Sequence, residues 1–234
     1  VVQELARETT KSPIGSHYAP PSNVQTIETA SLGFINGFFL RVPKLYAAGD
    51  LALLAEPAVA IVGSRKASAE GCRRAAQLAR ALVRDGVVVM SGLALGIDAA
   101  AHHAAIAAGG RTIAVIGTPL DKAYPKGNTS LQESIYRDHL LLSPFPIGTK
   151  TPPSHFPERN KVMARLARAT VIVEAGETSG SLHQAAESLL VKHPVFIART
   201  VIEDSRLTWP QRFVGKPLVY CLDDASDVAD QILR

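Results

Sequence analysis

The sequence predicts an α/β protein, a mostly parallel, doubly wound sheet with helices on both faces. Three observations predict it. Short, continuous apolar runs recur from residue 58 onward, as strands buried on both faces require. Segments of helical period alternate with them. Glycine follows almost every apolar run, at the strand ends where an open α/β sheet forms its binding crevice.

Residues 1–55 read as an N-terminal arm, partly packed on the main body, and 56–234 as the domain proper. Pro13, Pro20, Pro21 and Pro43 break any long periodic element in the arm, which reads as irregular, while Phe34, Ile35, Phe38, Phe39 and Leu40 are apolar enough to pack. The run at 58–62 is the first strand of the domain, ended by Gly63. Residues 68–85 form a helix, with Ser68 as N-cap and Ala75, Leu78, Ala79 and Leu82 on one face. A strand at 87–90 ends at Ser91-Gly92, and a helix over 98–108 is closed by Gly109-Gly110. A strand at 112–116 ends at Gly117. A helix follows at 128–138, a short strand at 140–142 and a helix at 159–168. The strand at 170–173 runs into Glu174-Ala175-Gly176 and a helix over 181–192. Strands at 195–198 and 218–221 and a helix at 224–233 complete the pattern.

Of 234 residues, 47% are hydrophobic and 20% charged, enough to bury a core, so wholesale disorder is excluded. Apolar runs fall far short of the roughly 18 residues that cross a bilayer, and the first residues show no cationic-then-apolar leader. Cys72 and Cys221 have no metal-type spacing. These features fit a cytoplasmic protein with no membrane partner. Asp98 and His102 stand at i, i+4 on one helix, but spacing places no third ligand, so neither metal nor cofactor is expected. The histidines at 155, 183 and 193 read as surface or loop residues.

The net charge is +4 and unevenly spread. Arg65, Lys66, Arg73, Arg74, Arg80 and Arg84 crowd one stretch, and Lys150, Arg159, Lys161, Arg165 and Arg168 another; the C-terminal stretch is acidic. A polyanion partner and plain solvated helix faces both account for this.

Four glycine-bearing loops should gather on one edge of the sheet. Gly63-Ser64-Arg65-Lys66 lacks the spacing of a dinucleotide fingerprint or a Walker loop. With the following helix start it fits either a phosphate site or a tight turn with an exposed arginine. Ser91-Gly92 and Gly117-Thr118, with Lys122 beyond, belong to the same edge. Thr178-Ser179-Gly180-Ser181 is a second strand-to-helix junction able to point hydroxyls and amides at an anion; capping alone explains one serine but hardly the whole run. Between them, Phe156 sits in a proline-flanked, extended loop before Arg159, Asn160 and Lys161. An aromatic beside cations suits single-stranded nucleic acid. A phenylalanine plugging the core and an arginine paired with an acid is the alternative.

These pieces resemble a known family. PKLYAAGDLALLAEPAVAIVGSR, VVVMSGLALGIDAAAHHAAIAAGGRTIAVIGTPLDKAYPKGN and LLSPFPIGTKTPPSHFPERNKVMARLARATVIVEAGETSGSL, in this order, are similar to the core of the DNA-processing proteins DprA, also called Smf. The resemblance covers 43–196, about two thirds of the chain. It implies an extended Rossmann-like fold that binds single-stranded DNA, protects incoming DNA during natural transformation and helps load the recombinase RecA. It implies a binding protein rather than a catalyst, with a homodimer among its assemblies. Gly63, Ser64 and Arg65 match the family's phosphate-pocket motif. Ser91, Gly92, Gly96, Ile97, Asp98 and His102 match its S-G-x-A-x-G-I-D…A-H block. Phe156, Pro157, Arg159 and Asn160 match F-P-x-R-N, and Ser179-Gly180-Ser181 its small-residue turn.

The chain also departs from the family. Leu95 stands where an arginine is usual, Pro144 where an acid is usual, and the stretch after Phe196 lacks the usual Pro-Gly ending. The helical and winged-helix-like extra domains of many members do not fit in this length. A rival reading is a nucleoside phosphoribohydrolase of the LOG type, which needs a carboxylate near 184; the chain has Gln184 there, with Glu174 and Glu187 as substitutes. A third is a small-nucleotide sensor using 203–213, with Trp209 and Phe213, as a partner surface; Trp209 packing the sheet end is the plainer account.

Overall fold

A computed structural model describes residues 17–33, 40 and 42–233. Phe34, Ile35, Phe38, Phe39 and Pro13 lie outside the described residues; Leu40 joins the core. The strands are β1 (Gln25–Glu28), β2 (Lys44–Gly49), β3 (Ala58–Gly63), β4 (Val88–Ser91), β5 (Thr112–Val115), β6 (Leu140–Ser143), β7 (Ala169–Glu174), β8 (Val195–Ala198) and β9 (Val219–Leu222). The helices are α1 (Ala69–Arg84), α2 (Ile97–Ala107), α3 (Thr129–Asp138), α4 (His155–Leu166), α5 (Ser181–Leu190), α6 (Arg199–Ile202) and α7 (Ser226–Leu233). Among the described residues all nine strands form one sheet in the order β1-β2-β6-β5-β4-β3-β7-β8-β9.

From β6 to β9 every neighbouring pair is parallel, while β2 runs antiparallel to both its neighbours. The chain steps outward from β3 through β4, β5 and β6, then returns to lay β7 on the other side of β3. Strand order therefore reverses between β3 and β7, and a crevice opens at the carboxyl ends of strands at such a point.

Alternation along the central strands sorts the layers. Val59 and Ile61 face α1, α2 and α7, and Ala114 and Leu141 face α3 on the same side. Ala58, Ala60 and Val62 face α4 and α5 on the other side. The parallel, doubly wound sheet expected from the apolar runs is present, and most boundaries fall within two residues of the pattern.

Two expectations are corrected. The supposedly irregular stretch before residue 56 contributes β1 and β2, with β2 paired to β6. Its apolar run Leu45-Tyr46-Ala47-Ala48 ends in glycine and follows a proline, so pairing with β6, not local preference, makes it a strand. The helix expected at 159–168 begins at His155, which puts Phe156 and Pro157 in its first turn rather than in an extended loop. Proline is tolerated in a first turn because amides there have no helical partner.

Ser68 caps α1 as expected, its Oγ accepting from Gly71 N at 2.9 Å. No helix among the described residues is long and apolar enough to cross a membrane. Trp209 packs fully buried into the core on the α4 and α5 side.

His102 is fully buried, with Nδ1 2.7 Å from Thr112 Oγ1. That hydroxyl donates to Val89 O, so Nδ1 is the protonated nitrogen and Nε2 lies buried without a partner. The Asp98 carboxylate binds amides instead, and no group of His, Cys, Asp or Glu among the described residues could hold a metal. Burial, with smaller pushes from His103, His139 and Arg159, holds His102 down at about 3. A histidine in the unfolded chain titrates near about 6.5, so the unfolded state takes the proton first. Stability should fall as pH drops from about 6.5 toward 3. His102→Gln is expected to flatten that part of a plot of urea midpoint against pH; an undiminished slope would assign the acid sensitivity elsewhere.

Candidate functional site

The crevice at the strand reversal is a cleft of about 490 Å³. One wall is the loop after β3. A Cβ on Gly63 would stand 2.5 Å from Ile97 Cγ1 and 2.6 Å from Glu174 O, so only glycine lets β3, β7 and α2 meet here. Ser64 N donates to Glu174 O at 2.7 Å, which pins the two strand ends together. Gly63, Ser64, Arg65 and Lys66 line the cleft.

The start of α1 is not available to a ligand. Glu174 Oε1 accepts from Ser68 N at 2.8 Å and Oε2 from Ser68 Oγ at 2.5 Å. The protein's own carboxylate thus takes the position where a phosphate would sit on this helix. Of the two readings open for this loop, this leaves to a phosphate site only the Ser64–Lys66 backbone and the two cationic side chains, without the helix start.

The opposite wall is the loop between β7 and α5. Thr178, Ser179, Gly180 and Ser181 line the cleft. Ser179 Oγ and Ser181 Oγ share a hydrogen bond of 2.7 Å, and Ser179 N donates to Gly176 O at 3.1 Å. With Gly180 at its N-cap position, α5 has no side-chain cap. Asn160 lines the cleft and also braces this turn, its Nδ2 donating to Gly180 O at 3.3 Å.

The first turns of α4 supply the floor. Phe156 is half-buried above Gly117, and its ring centroid lies 5.7 Å from that of Tyr124. The Arg65 guanidinium carbon stands 5.3 Å from the Phe156 centroid, a cation over an aromatic face at the mouth of the cleft. Arg159 is only 6% exposed. Its Nη1 donates to Val115 O at 2.5 Å, its Nε has no partner, and Gly92 gives it room, since a Cβ there would overlap the guanidinium.

Burial lowers Arg159 to about 10, against the pull of nearby Asp98 and with help from Arg65. Burial also pushes the Asp98 carboxyl up, opposed by Arg159 and by the Gly92 and Ala94 amides. Those amides donate to Asp98 Oδ2 at 3.2 and 3.3 Å. The result is a desolvated guanidinium beneath a more open cationic rim.

Behind Phe156 lies a smaller cavity of about 140 Å³. Gly92, Gly117 and Thr118 line it, and it shares Arg65, Phe156 and Arg159 with the cleft. Leu95 and Tyr124, two further wall residues absent from the sequence-derived set, are largely exposed. Tyr124 carried a readable signal, an aromatic before a proline in the third glycine-bearing loop.

Three candidates are not brought to either cavity. Ser91 is fully buried and its Oγ donates to Ile61 O at 2.6 Å, tying β4 to β3. Lys122 Nζ donates to Thr149 O at 2.7 Å. Lys161 Nζ pairs with Glu158 at 2.7 Å, as a helix-surface pair does.

The carboxylates of the rival chemistry are engaged elsewhere. Glu174 holds Ser68, and Glu187 lies 3.8 Å from Arg165. Gln184 is fully buried, and in the amide orientation that satisfies both its ends it donates to Asn160 O at 3.0 Å and accepts from Ala164 N at 3.2 Å. Of the other histidines, His193 lies in the loop before β8, as one of its two readings had it, but is buried there with Nδ1 2.9 Å from Ala164 O; His155 stacks on Phe145 with centroids 3.5 Å apart.

Residues 40–232 match the family described as DNA recombination-mediator protein A. The DNA processing protein DprA of Streptococcus pneumoniae is 48% identical over 138 residues, 59% of this chain and 49% of that protein. Matches to the first curated relatives span 32–62% of their length. The X-ray structure of DNA processing protein A from Streptococcus pneumoniae superposes with a TM-score of 0.82 at 34% identity, covering 90% of this chain and 75% of that one. DNA processing protein A from Helicobacter pylori, whose structure is described for its single-stranded DNA binding mode, gives a TM-score of 0.77 at 26% identity, covering 90% and 95%.

Proposed function

The chain belongs to the DNA recombination-mediator protein A family, and from that premise we propose that it binds single-stranded DNA in the cleft between β3 and β7. One observation carries the reading: two loops remote in sequence face each other across the strand reversal, one cationic and one rich in hydroxyls, with a half-exposed aromatic between them. Backbone phosphates lie against Ser64–Lys66 and the Thr178–Ser181 turn. Arg65 neutralises charge at the rim, Arg159 adds positive potential from below, and a base stacks on Phe156. Phosphate contacts hold no base information, so sequence preference is slight.

The same reading makes the protein a binder rather than a catalyst. It has the protein act in the cytoplasm on DNA taken up in transformation, as a homodimer that passes its strand to a RecA-type recombinase. Light scattering of the free protein and co-elution with recombinase-coated DNA test those two assemblies.

The decisive measurement is fluorescence anisotropy of a labelled dT oligomer and of the matching duplex, each over a salt series. The single strand is expected to bind more tightly, with affinity falling as salt rises. Arg65→Ala is expected to weaken binding and to lower the salt slope by about 0.7, the single-strand value for one phosphate contact. Equal affinity for both DNA forms would remove the single-strand cleft, and an unchanged slope would remove Arg65 from it.

A further inference from the structure

The stretch between β8 and β9 grips the β7–α5 loop at two points. Trp209, fully buried, donates from Nε1 to Ala175 O at 3.2 Å. The Glu177 carboxylate accepts from Thr208 Oγ1 at 3.0 Å, from Trp209 N at 3.4 Å and from Thr208 N. The two attachments flank Gly176. Beyond them the loop is held by the Ser179 N–Gly176 O and Asn160 Nδ2–Gly180 O hydrogen bonds, while a Cβ at Gly176 or Gly180 would meet no heavy atom within 4 Å and α5 has no side-chain cap. A loop with two unconfined glycines is not stiff by itself.

We propose that residues 199–217 act as a strap that sets the conformation of the Thr178–Ser181 turn, with Glu177 as a positioning residue that does not touch DNA. The proposal rests on the single-strand reading of the cleft. Hydrogen bonds from Thr208, with Arg212 nearby, hold the Glu177 carboxyl below its ordinary range, so it is an anion beside a site for a polyanion. That fixes the sign of the test. If Glu177 acted through its charge alone, removing it would tighten DNA binding. If it holds the turn, removing it weakens binding.

The test uses the full chain with Glu177→Ala and Glu177→Gln, the dT oligomer as probe, and amide hydrogen exchange of the DNA-free protein. Glu177→Ala is expected to bind about three- to ten-fold more weakly, the loss of one or two net hydrogen bonds. The salt slope should stay unchanged, because no phosphate contact is removed. Amides over 177–182 should exchange faster. Glu177→Gln, which keeps an acceptor for the Thr208 and Trp209 amides, should lie closer to the wild type in exchange. Unchanged exchange in Glu177→Ala would overturn the strap. Faster exchange with equal or tighter DNA binding would overturn its role in binding. A wild-type protein that bound no dT oligomer would overturn the cleft reading and that role together, while the exchange data would still decide whether the strap holds the turn.

Discussion

Asp98→Ala is expected to cost about 3–5 kcal/mol of folding stability and to weaken DNA binding with it. Asp98 is 5% exposed, and Gly92 N and Ala94 N both donate to it. Losing that acceptor leaves one buried and one part-buried amide unpaired, at about 1–3 kcal/mol for the buried one and less for the other. It also strips the Arg159 guanidinium of the one acid that acts on it, and a buried charge without compensation is destabilising. The loop from Gly92 to Ala94 should then relax away from Arg159, opening both cavities. Asp98→Asn keeps one acceptor oxygen and the side-chain volume, so it should lose distinctly less. Urea unfolding of the two variants checks the order. Equal losses would place the effect in charge alone, and a loss below about 1 kcal/mol for Asp98→Ala would contradict the buried-acceptor account.

Gly96→Ala is the second large effect. Gly96 has φ 76° and ψ −123°, a conformation that a residue with a Cβ adopts only under strain, and a Cβ there would overlap Ser64 O. The backbone strain is worth about 1–3 kcal/mol. Overpacking against a carbonyl oxygen adds about 1–3 kcal/mol. Ile97 N donates to Ser64 O at 3.2 Å, so displacing this contact moves the loop that carries Ser64 and Arg65. A loss of roughly 2–6 kcal/mol in stability is expected. The anisotropy titration should show at least about a ten-fold loss of affinity, since displacement of the loop removes charge-assisted contacts. Gly180→Ala serves as the control for stability: it lines the cleft, but a Cβ there meets nothing within 4 Å. A Gly180→Ala variant as damaged as Gly96→Ala would show that any added methyl near the cleft is harmful, and the strain argument would fail.

The layers of this fold were legible because strand burial and helix amphipathicity are local periodicities. Residues 58–62 are apolar throughout, which marks a strand buried on both faces, and the two-residue period of a strand then sends Val59 and Ile61 to one layer and Ala58, Ala60 and Val62 to the other. The loops that meet at the cleft could be predicted for the same reason, since each is a glycine at the end of an apolar run. The short strand at Lys44–Gly49 was not legible, because β6, the partner that ties it to the main sheet, lies almost a hundred residues away and its own residues include alanines and a glycine. The start of α4 was missed because prolines that read as loop formers sit in its first turn.

The site divides along the same line. Residue types and their order determined that cations, hydroxyls and an aromatic come to one rim. Only the tertiary structure decided which of them line the cleft. Ser91 and Ser64 look alike as serines beside a glycine at strand ends, yet Ser91 is consumed by Ile61 O while Ser64 lines the cleft. Glu174 stood as a substitute for the carboxylate of the rival chemistry and is instead the anion that closes the start of α1. Lys161 and Arg159 are two residues apart on one helix, and rotation about that helix sends one to solvent and the other beneath the cleft. A hydrogen-bond partner is chosen by distance in space, and a sequence determines that distance only after every layer has packed.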